Sequence, residues 1–277
     1  MWAGCLTEYG REIKGELLMI GIIGGSGLYD IQGVGAVRKE RVATPYGDPS
    51  DEFIIGSISD REVVFLARHS HRHNIPPHRV NYRANVWGMH HLGVRRIVGV
   101  NAVGGINEDY RVGEIVLPEQ IIDFTHGRVA TFYDGDDVVH VDFTNPYCPE
   151  TRSVFLKAAE AIGEHLHDGG TYLCTGGPRL ETAAEIRFFR SIAADLVGMT
   201  GMPEAVLARE LEVCYVALTV VTNVAAGMSG KKLTTTEVLT TMKRSTERLK
   251  KVLSLAMTTM PDKRGCACKD ALKDARL

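Results

Sequence analysis

Arg68-His69-Ser70-His71-Arg72-His73 places two guanidinium groups and three imidazoles in six consecutive positions, directly after the apolar Leu66-Ala67. Such a cluster calls for a metal ion or an anion. Alternate histidines on a strand would put three imidazoles on one face, a comb of metal-ligand character. The interleaved arginines repel a cation, however, and Arg68 suits planar, bidentate recognition of a phosphate. An anion is therefore the favoured partner, with a solvated basic loop as the plain alternative. A second anion feature lies upstream, where the apolar run 19–23 enters Gly24-Gly25-Ser26-Gly27. The backbone N–H groups of such a turn and the Ser26 hydroxyl form a nest. Gly27 is followed by Leu28-Tyr29-Asp30, not by the Lys of a nucleoside triphosphate loop, and the spacing of Gly21, Gly24, Gly25 and Gly27 fails the dinucleotide fingerprint.

Four further apolar runs break at small or polar residues: Asn101-Ala102, Thr175 to Thr182, Met199-Thr200 and Thr222-Asn223. Ligands of open α/β sheets bind beyond the carboxyl ends of strands, which places Ser26, Arg68 and Asn101-Ala102 around one anion. Plainer readings exist for the others. Glu181 could be a first-turn carboxylate complementing a helix dipole, Pro203 suits position N1 of a helix, and Asn223 could be a turn former.

These residues need a scaffold. Apolar runs rich in β-branched residues recur at 19–23, 53–58, 62–67, 96–103, 114–118, 170–175, 193–198 and 213–222. Helical spacing occupies 81–92, 149–164, 182–194, 202–211 and 235–260, most clearly in the last, through Val238, Met242, Leu249, Val252, Leu253 and Met257. The alternation predicts an α/β domain whose central strands are buried on both faces. One domain is expected over 19–261, followed by a charged tail, 262–277, that frays. Residues 1–18 read as a start-site extension or disordered leader ahead of a native Met19, with a short helix over 9–18 as the alternative.

A chain of 277 residues with 44% hydrophobic content sustains one large core. Its net charge of −2 supplies no global field for nucleic acid or an anionic membrane. No apolar run reaches the roughly 18–20 residues of a membrane span, and 1–18 lacks the apolar stretch of a secretory signal, so a cytoplasmic location is expected. Six cysteines are too sparse for a disulfide scaffold, and most should be core thiols. Cys266-Ala267-Cys268 differs, because burial does not explain two thiols on a polar tail. Zinc would need further ligands, and none lies nearby in sequence. A redox pair and a passive tail remain, the passive tail being preferred.

Taken in order, GGSGLYD, TPYGDPSD, LARHSHRHNIPPHRVNYRAN, NAVGG, TFYDG, PYCP, GGPRLETAAE, GMTGMPEA and TN resemble the trimeric purine nucleoside phosphorylase and methylthioadenosine phosphorylase family across about residues 20–260. The resemblance implies a single-domain nucleoside phosphorylase fold: α/β, with a central mixed, partly barrel-like sheet flanked by helices. It implies that Ser26, Arg68, His69, the Ala102 backbone and Thr200 hold phosphate, with donors from hydroxyl, guanidinium, imidazole and amide. Met199 would lie under the ribose with Tyr82 beside it. The implied reaction is phosphorolysis, in which phosphate attacks C1′ opposite the purine through an oxocarbenium-like state, without metal or cofactor other than inorganic phosphate as co-substrate. Asn223 and His69 are the implied catalytic residues. The implied assembly is a trimer or a dimer of trimers, with sites at subunit contacts.

The same resemblance narrows the substrate. The branch that takes 6-aminopurines has an Asp where this chain has Asn223, whose amide instead offers N–H donors to O6 and N7. Glu181 matches a carboxylate accepting from N1–H of a 6-oxopurine. Ala225 begins a stretch lacking the second Asp of the adenosine branch, and Leu180 stands where an aromatic stacks on the base. Around the 5′ end, Leu239 and Thr235 replace the histidine of enzymes for a free 5′-OH and suit a thioether. His140 matches a residue reaching that pocket from a neighbouring subunit. Together these imply cleavage of S-methyl-5′-thioinosine to hypoxanthine and 5-methylthioribose 1-phosphate. The alternatives are a general inosine and guanosine phosphorylase, a methylthioadenosine phosphorylase and a non-enzymatic nucleoside-binding module.

Overall fold

A computed structural model describes residues 19–25, 34–58, 61–230 and 234–277. Ser26, the 1–18 leader and the Thr235 side chain lie outside the described residues. The strands are β1 (Met19–Gly24), β2 (Val34–Glu40), β3 (Phe53–Ile58), β4 (Arg61–Ala67), β5 (Val94–Gly105), β6 (Ile115–Leu117), β7 (Gln120–Phe124), β8 (Leu166–Asp168), β9 (Thr171–Thr175), β10 (Leu196–Gly198) and β11 (Cys214–Val224). The α-helices are α1 (Tyr82–His91), α2 (Pro149–Ala161), α3 (Ala183–Ser191), α4 (Glu204–Glu210) and α5 (Thr235–Thr259).

All the strands join one mixed sheet, as the sequence predicts. Its centre is β1, β5 and β11, mutually parallel along β5. Alternate residues of these strands feed two cores. Ile20, Ile22, Val98, Val216 and Leu218 pack in the core shared with α2 and α5, whereas Ile23, Ile97, Tyr215 and Ala217 pack in the one shared with α1 and α4. Helices on both faces explain why the runs in β5 and β11 are continuously apolar rather than alternating. No helix among the described residues is long and apolar enough to cross a membrane.

The site is positioned by the edge of β5 that does not face β11. β1 covers that edge as far as the Ile23–Gly99 pair. β10 then takes it over antiparallel, pairing Leu196 with Gly105 and Val197 with Gly104. Two strands thus run towards each other along one edge, and the carboxyl ends of both stop at the gap between Gly99 and Gly104. This is the crevice that a change of strand order creates in an α/β sheet. Ala102, within the gap, is the one exposed residue of β5.

The C-terminal segment corrects the expectation of a fraying tail. Cys266, Cys268 and Ala275 are buried, 267–270 form a short 3-10 helix, and Arg276 bridges to Val139. Side chains of the body capture the segment: Arg61 Nη2 meets Asp262 at 2.7 Å, and Glu150 Oε2 accepts from the Gly265 N–H at 2.6 Å. Pro203 also differs from its expected N1 position, since it is the N-cap residue of α4.

Candidate active site

Arg68 follows β4 and turns back under the gap, with 2% of its side chain exposed. Its Nε and Nη2 form a fork onto Glu204, at 2.5 and 2.9 Å, while Nη1 donates to the Val100 carbonyl and Nη2 to the Ile23 carbonyl. Four of the five guanidinium N–H groups are therefore committed. The fork that the sequence assigned to phosphate is taken by Glu204, and one Nη1 N–H has no partner among the described residues. Burial disfavours the cation, but Glu204 more than offsets it, and the Arg68 pKa is raised. Glu204 is itself fully buried and also accepts from the Tyr215 hydroxyl at 2.9 Å. Burial, then Glu204, pushes the Tyr215 pKa up, which keeps it a donor. A Cβ at Gly99 would fall 2.1 Å from that hydroxyl and 3.3 Å from Glu204 Oε2, so only glycine lets β5 approach the pair this closely.

The imidazole comb does not form. Residues 68–73 are turns, with positive φ at Ser70 (64°) and His73 (52°), not a strand. His71 is directed to Asp51, 2.9 Å away, whereas His69 turns inward with Nδ1 2.8 Å from the Ile75 carbonyl. A carbonyl only accepts, so Nδ1 carries the proton. Burial, reinforced by Arg68, lowers the His69 pKa to about 4. The ring is neutral at pH 7, and its Nε2 is an acceptor rather than the donor expected from sequence.

Thr200 completes the opposite side of the gap. Past Val197 the chain leaves β5 but stays beside it, and Thr200 Oγ1 accepts from Asn101 Nδ2 at 2.7 Å. The Thr200 N–H in turn donates to the Tyr172 hydroxyl at 3.3 Å. The Tyr82 hydroxyl reaches the Met199 carbonyl at 3.5 Å while donating to Pro77 O at 2.9 Å. Arg128, which the sequence did not single out, ties the Met202 carbonyl to that of Gly176 and lies 5.1 Å from the Tyr82 ring centre.

Beyond β9 and β11 stand the two polar groups suited to a purine. Glu181 precedes the N-cap Thr182, and Glu185 forms the capping box of α3, so the helix-dipole reading of Glu181 is corrected. Its Oε1 accepts from Thr175 Oγ1 at 2.8 Å, leaving Oε2 open. Asn223, at the register shift of β11 against β5, donates through Nδ2 to Val224 O at 3.0 Å. That bond fixes the amide orientation, and Thr222 Oγ1 donates to Oδ1 at 2.9 Å. One Nδ2 N–H remains. Leu180 and Leu239 are exposed, at 48% and 59%, whereas Ala225 is buried in the small core around α3. His140 is exposed and held through its backbone by Ala275 O, and it shares no hydrogen bond with these groups among the described residues. Glu204 and Tyr215 are the principal residues missed from sequence. The only signal for Glu204 was an acid in a helix that is otherwise largely apolar, Glu204-Ala-Val-Leu-Ala-Arg-Glu210.

The ends of β1 and β10 thus converge on a gap with Arg68 and Thr200 beside it, and Glu181 and Asn223 stand beyond β9 and in β11. Comparison with known proteins states the class directly: the chain belongs to the phosphorylase superfamily, whose family model matches residues 19–257. It is 51% identical to the 6-oxopurine nucleoside phosphorylase of Pyrococcus furiosus, over 92% of this chain and 98% of that one. It is also 51% identical to a probable S-methyl-5′-thioinosine phosphorylase of Thermodesulfovibrio yellowstonii, over 94% and 98%. The structure of a methylthioadenosine phosphorylase from an antarctic soil metagenomic library superposes with a TM-score of 0.89 at 35% identity, covering 93% of this chain and 92% of that one. The chain is a purine nucleoside or methylthionucleoside phosphorylase, a pentosyltransferase whose substrates are a purine nucleoside and phosphate.

Proposed function

We propose that the enzyme cleaves a 6-oxopurine nucleoside bearing a 5′-methylthio group, S-methyl-5′-thioinosine. The observation carrying the base assignment is the amide of Asn223, whose Oδ1 lies 2.9 Å from Thr222 Oγ1 and whose Nδ2 keeps one N–H beyond its bond to Val224 O. A donor there matches the acceptors N7 and O6, and the open Glu181 oxygen accepts from N1–H. A 6-aminopurine presents a donor to a donor and an unprotonated N1 to a carboxylate. Leu239, apolar at the start of α5, supports the methylthio group.

Phosphate sits between the glycine turn with Ser26, the remaining Nη1 N–H of Arg68, His69, the Ala102 backbone and Thr200. Neutral His69 accepts a P–OH proton at Nε2, which orients hydrogen phosphate with its unprotonated oxygens towards the sugar. One of these oxygens bonds to C1′ as the C1′–N9 bond breaks, and the electron pair passes into the purine. Asn223 donates to N7 as charge develops, an interaction stronger in the transition state than in the ground state. Met199 and Tyr82 border the ribose, and Leu180 borders the base. His140 serves the 5′ pocket of an adjoining copy in a trimer or a dimer of trimers.

Comparison of kcat/KM for methylthioinosine, inosine, guanosine and methylthioadenosine tests this reading. A mismatched buried polar group costs about 1–3 kcal/mol, so methylthioinosine is expected to exceed methylthioadenosine by roughly tenfold to a hundredfold. Asn223→Asp is expected to narrow or invert that ratio. A wild-type preference for methylthioadenosine would overturn the base assignment. Inosine and methylthioinosine used equally would favour a general 6-oxopurine enzyme, the activity in the name of the Pyrococcus furiosus relative.

A further inference from the structure

Four thiols that phosphorolysis does not use meet at one buried point. Cys148 is the N-cap of α2, Cys214 opens β11, and Cys266 and Cys268 come from the C-terminal segment. All four are buried, and each Sγ lies within 4.8 Å of the other three, with Cys214 and Cys266 3.3 Å apart. We propose that Cys148, Cys214, Cys266 and Cys268 bind one zinc ion as a structural tetrathiolate that fastens the C-terminal segment to the sheet.

The geometry and the buried donors nearby both support a metal. A tetrahedral site with Zn–S bonds of about 2.3 Å needs all six sulfur pairs at about 3.8 Å, and the observed sulfurs require only small shifts to reach this. Two disulfides would need only two close pairs, whereas here all six are close. All four ligands are held by regular structure or its cap: Cys148 accepts from the Thr151 N–H at 3.4 Å at a helix start, Cys214 is locked in register with Arg96 of β5, Cys266 is the N-cap of the 3-10 helix at 267–270, and Cys268 lies in it. Arg96 is the second, independent observation. Its side chain is fully buried, Nη2 binds Glu150 and the Lys263 carbonyl, and Nε and Nη1 have no partner. Glu150 lies two residues after Cys148, and Lys263 three before Cys266. The Arg96 charge is matched by Glu150, but buried Nε and Nη1 N–H groups without a partner among the described residues, held between the ligand-bearing segments, are donors suited to thiolate sulfurs of a tetrathiolate. Formation of the site releases four thiol protons.

The test uses the full chain, purified without a metal-affinity step or chelator. Elemental analysis is expected to find about one zinc per chain. All six thiols should titrate in denaturant with chelator and no prior reduction. The double variant Cys266→Ser, Cys268→Ser is expected to retain less than about a tenth of the zinc, while Cys5→Ser retains it all. Should the double variant fail to fold, cobalt(II) exchanged into the wild type must give the visible bands of tetrahedral thiolate ligation. Thiols of the cluster that titrate only after reduction, with no zinc bound, would establish disulfides and overturn the proposal. So would four reduced thiols that take up no zinc from an excess.

Discussion

At the scale of single residues, Glu204 governs how Arg68 can be used. A guanidinium whose fork is already on a carboxylate cannot swing to follow a ligand, so on the proposed function it would meet phosphate with one preset N–H. Glu204 is a positioning residue in this arrangement, and Glu204→Gln replaces an acceptor by a donor against the same fork. We expect the KM for phosphate to rise at least about tenfold, equivalent to about 1.4 kcal/mol, with the KM for nucleoside little changed. Because one partner of a buried pair is lost, stability should fall by about 3–5 kcal/mol as well. Initial rates over a matrix of both substrates separate the effects, and an unchanged phosphate KM in folded protein would reduce Glu204 to a structural role. His69 gives the complementary lesson: its chemistry follows from the Ile75 carbonyl behind it, which makes the ring an acceptor.

At the scale of elements, β5 is where geometry is least tolerant. Gly99→Ala would drive a methyl group into the Tyr215 hydroxyl, and overpacking of this kind costs about 1–3 kcal/mol. Denaturant unfolding should register that loss, and adding Tyr215→Phe should recover part of it through a nonadditive double-mutant cycle. Full additivity would mean that the clash is relieved elsewhere. The eight apolar runs read from the sequence correspond to β1, β3, β4, β5, β6, β9, β10 and β11, and all five helices lie where periodicity put them, within a few residues. The strands it missed, β2, β7 and β8, each end a branch of the sheet. An end strand has one unpaired edge and need not bury both faces, so its residues carry no continuous apolar signal; Val-Gly-Ala-Val-Arg-Lys-Glu of β2 is the plainest case. The site was legible as a set of strand ends. The pairing of Arg68 with Glu204 was not, because 136 residues separate them and neither residue type alone implies the other. The four-thiol cluster was hidden for the same reason, since half of it comes from elements far from Cys266-Ala267-Cys268.

For the whole molecule, two buried imidazoles set the response to acid. His69 and His90 both have pKa values lowered to about 4, by burial first and then by Arg68 and Arg95 respectively. Unfolded, each titrates near 6.5. Between about pH 6.5 and 4 the unfolded chain therefore binds more protons than the native one, and stability falls as pH falls, by up to about 1.4 kcal/mol per pH unit for each ring. Urea unfolding at pH 7, 5.5 and 4.5 should trace this slope, and His90→Asn should flatten about half of it; a wild-type profile level through that window would contradict the burial argument. The head-on meeting of β1 and β10 along one edge of β5 has a temporal consequence. The two ends of that gap, and the two members of the Arg68–Glu204 pair, lie far apart in the chain, so no short segment contains both sides of it. A chain emerging from the ribosome carries Arg68 through the next 136 residues with no Glu204 to hold it. On the proposed function, capacity for phosphate is acquired only when late-made residues dock on early ones, which would make anion binding a reporter of long-range docking rather than of any local structure.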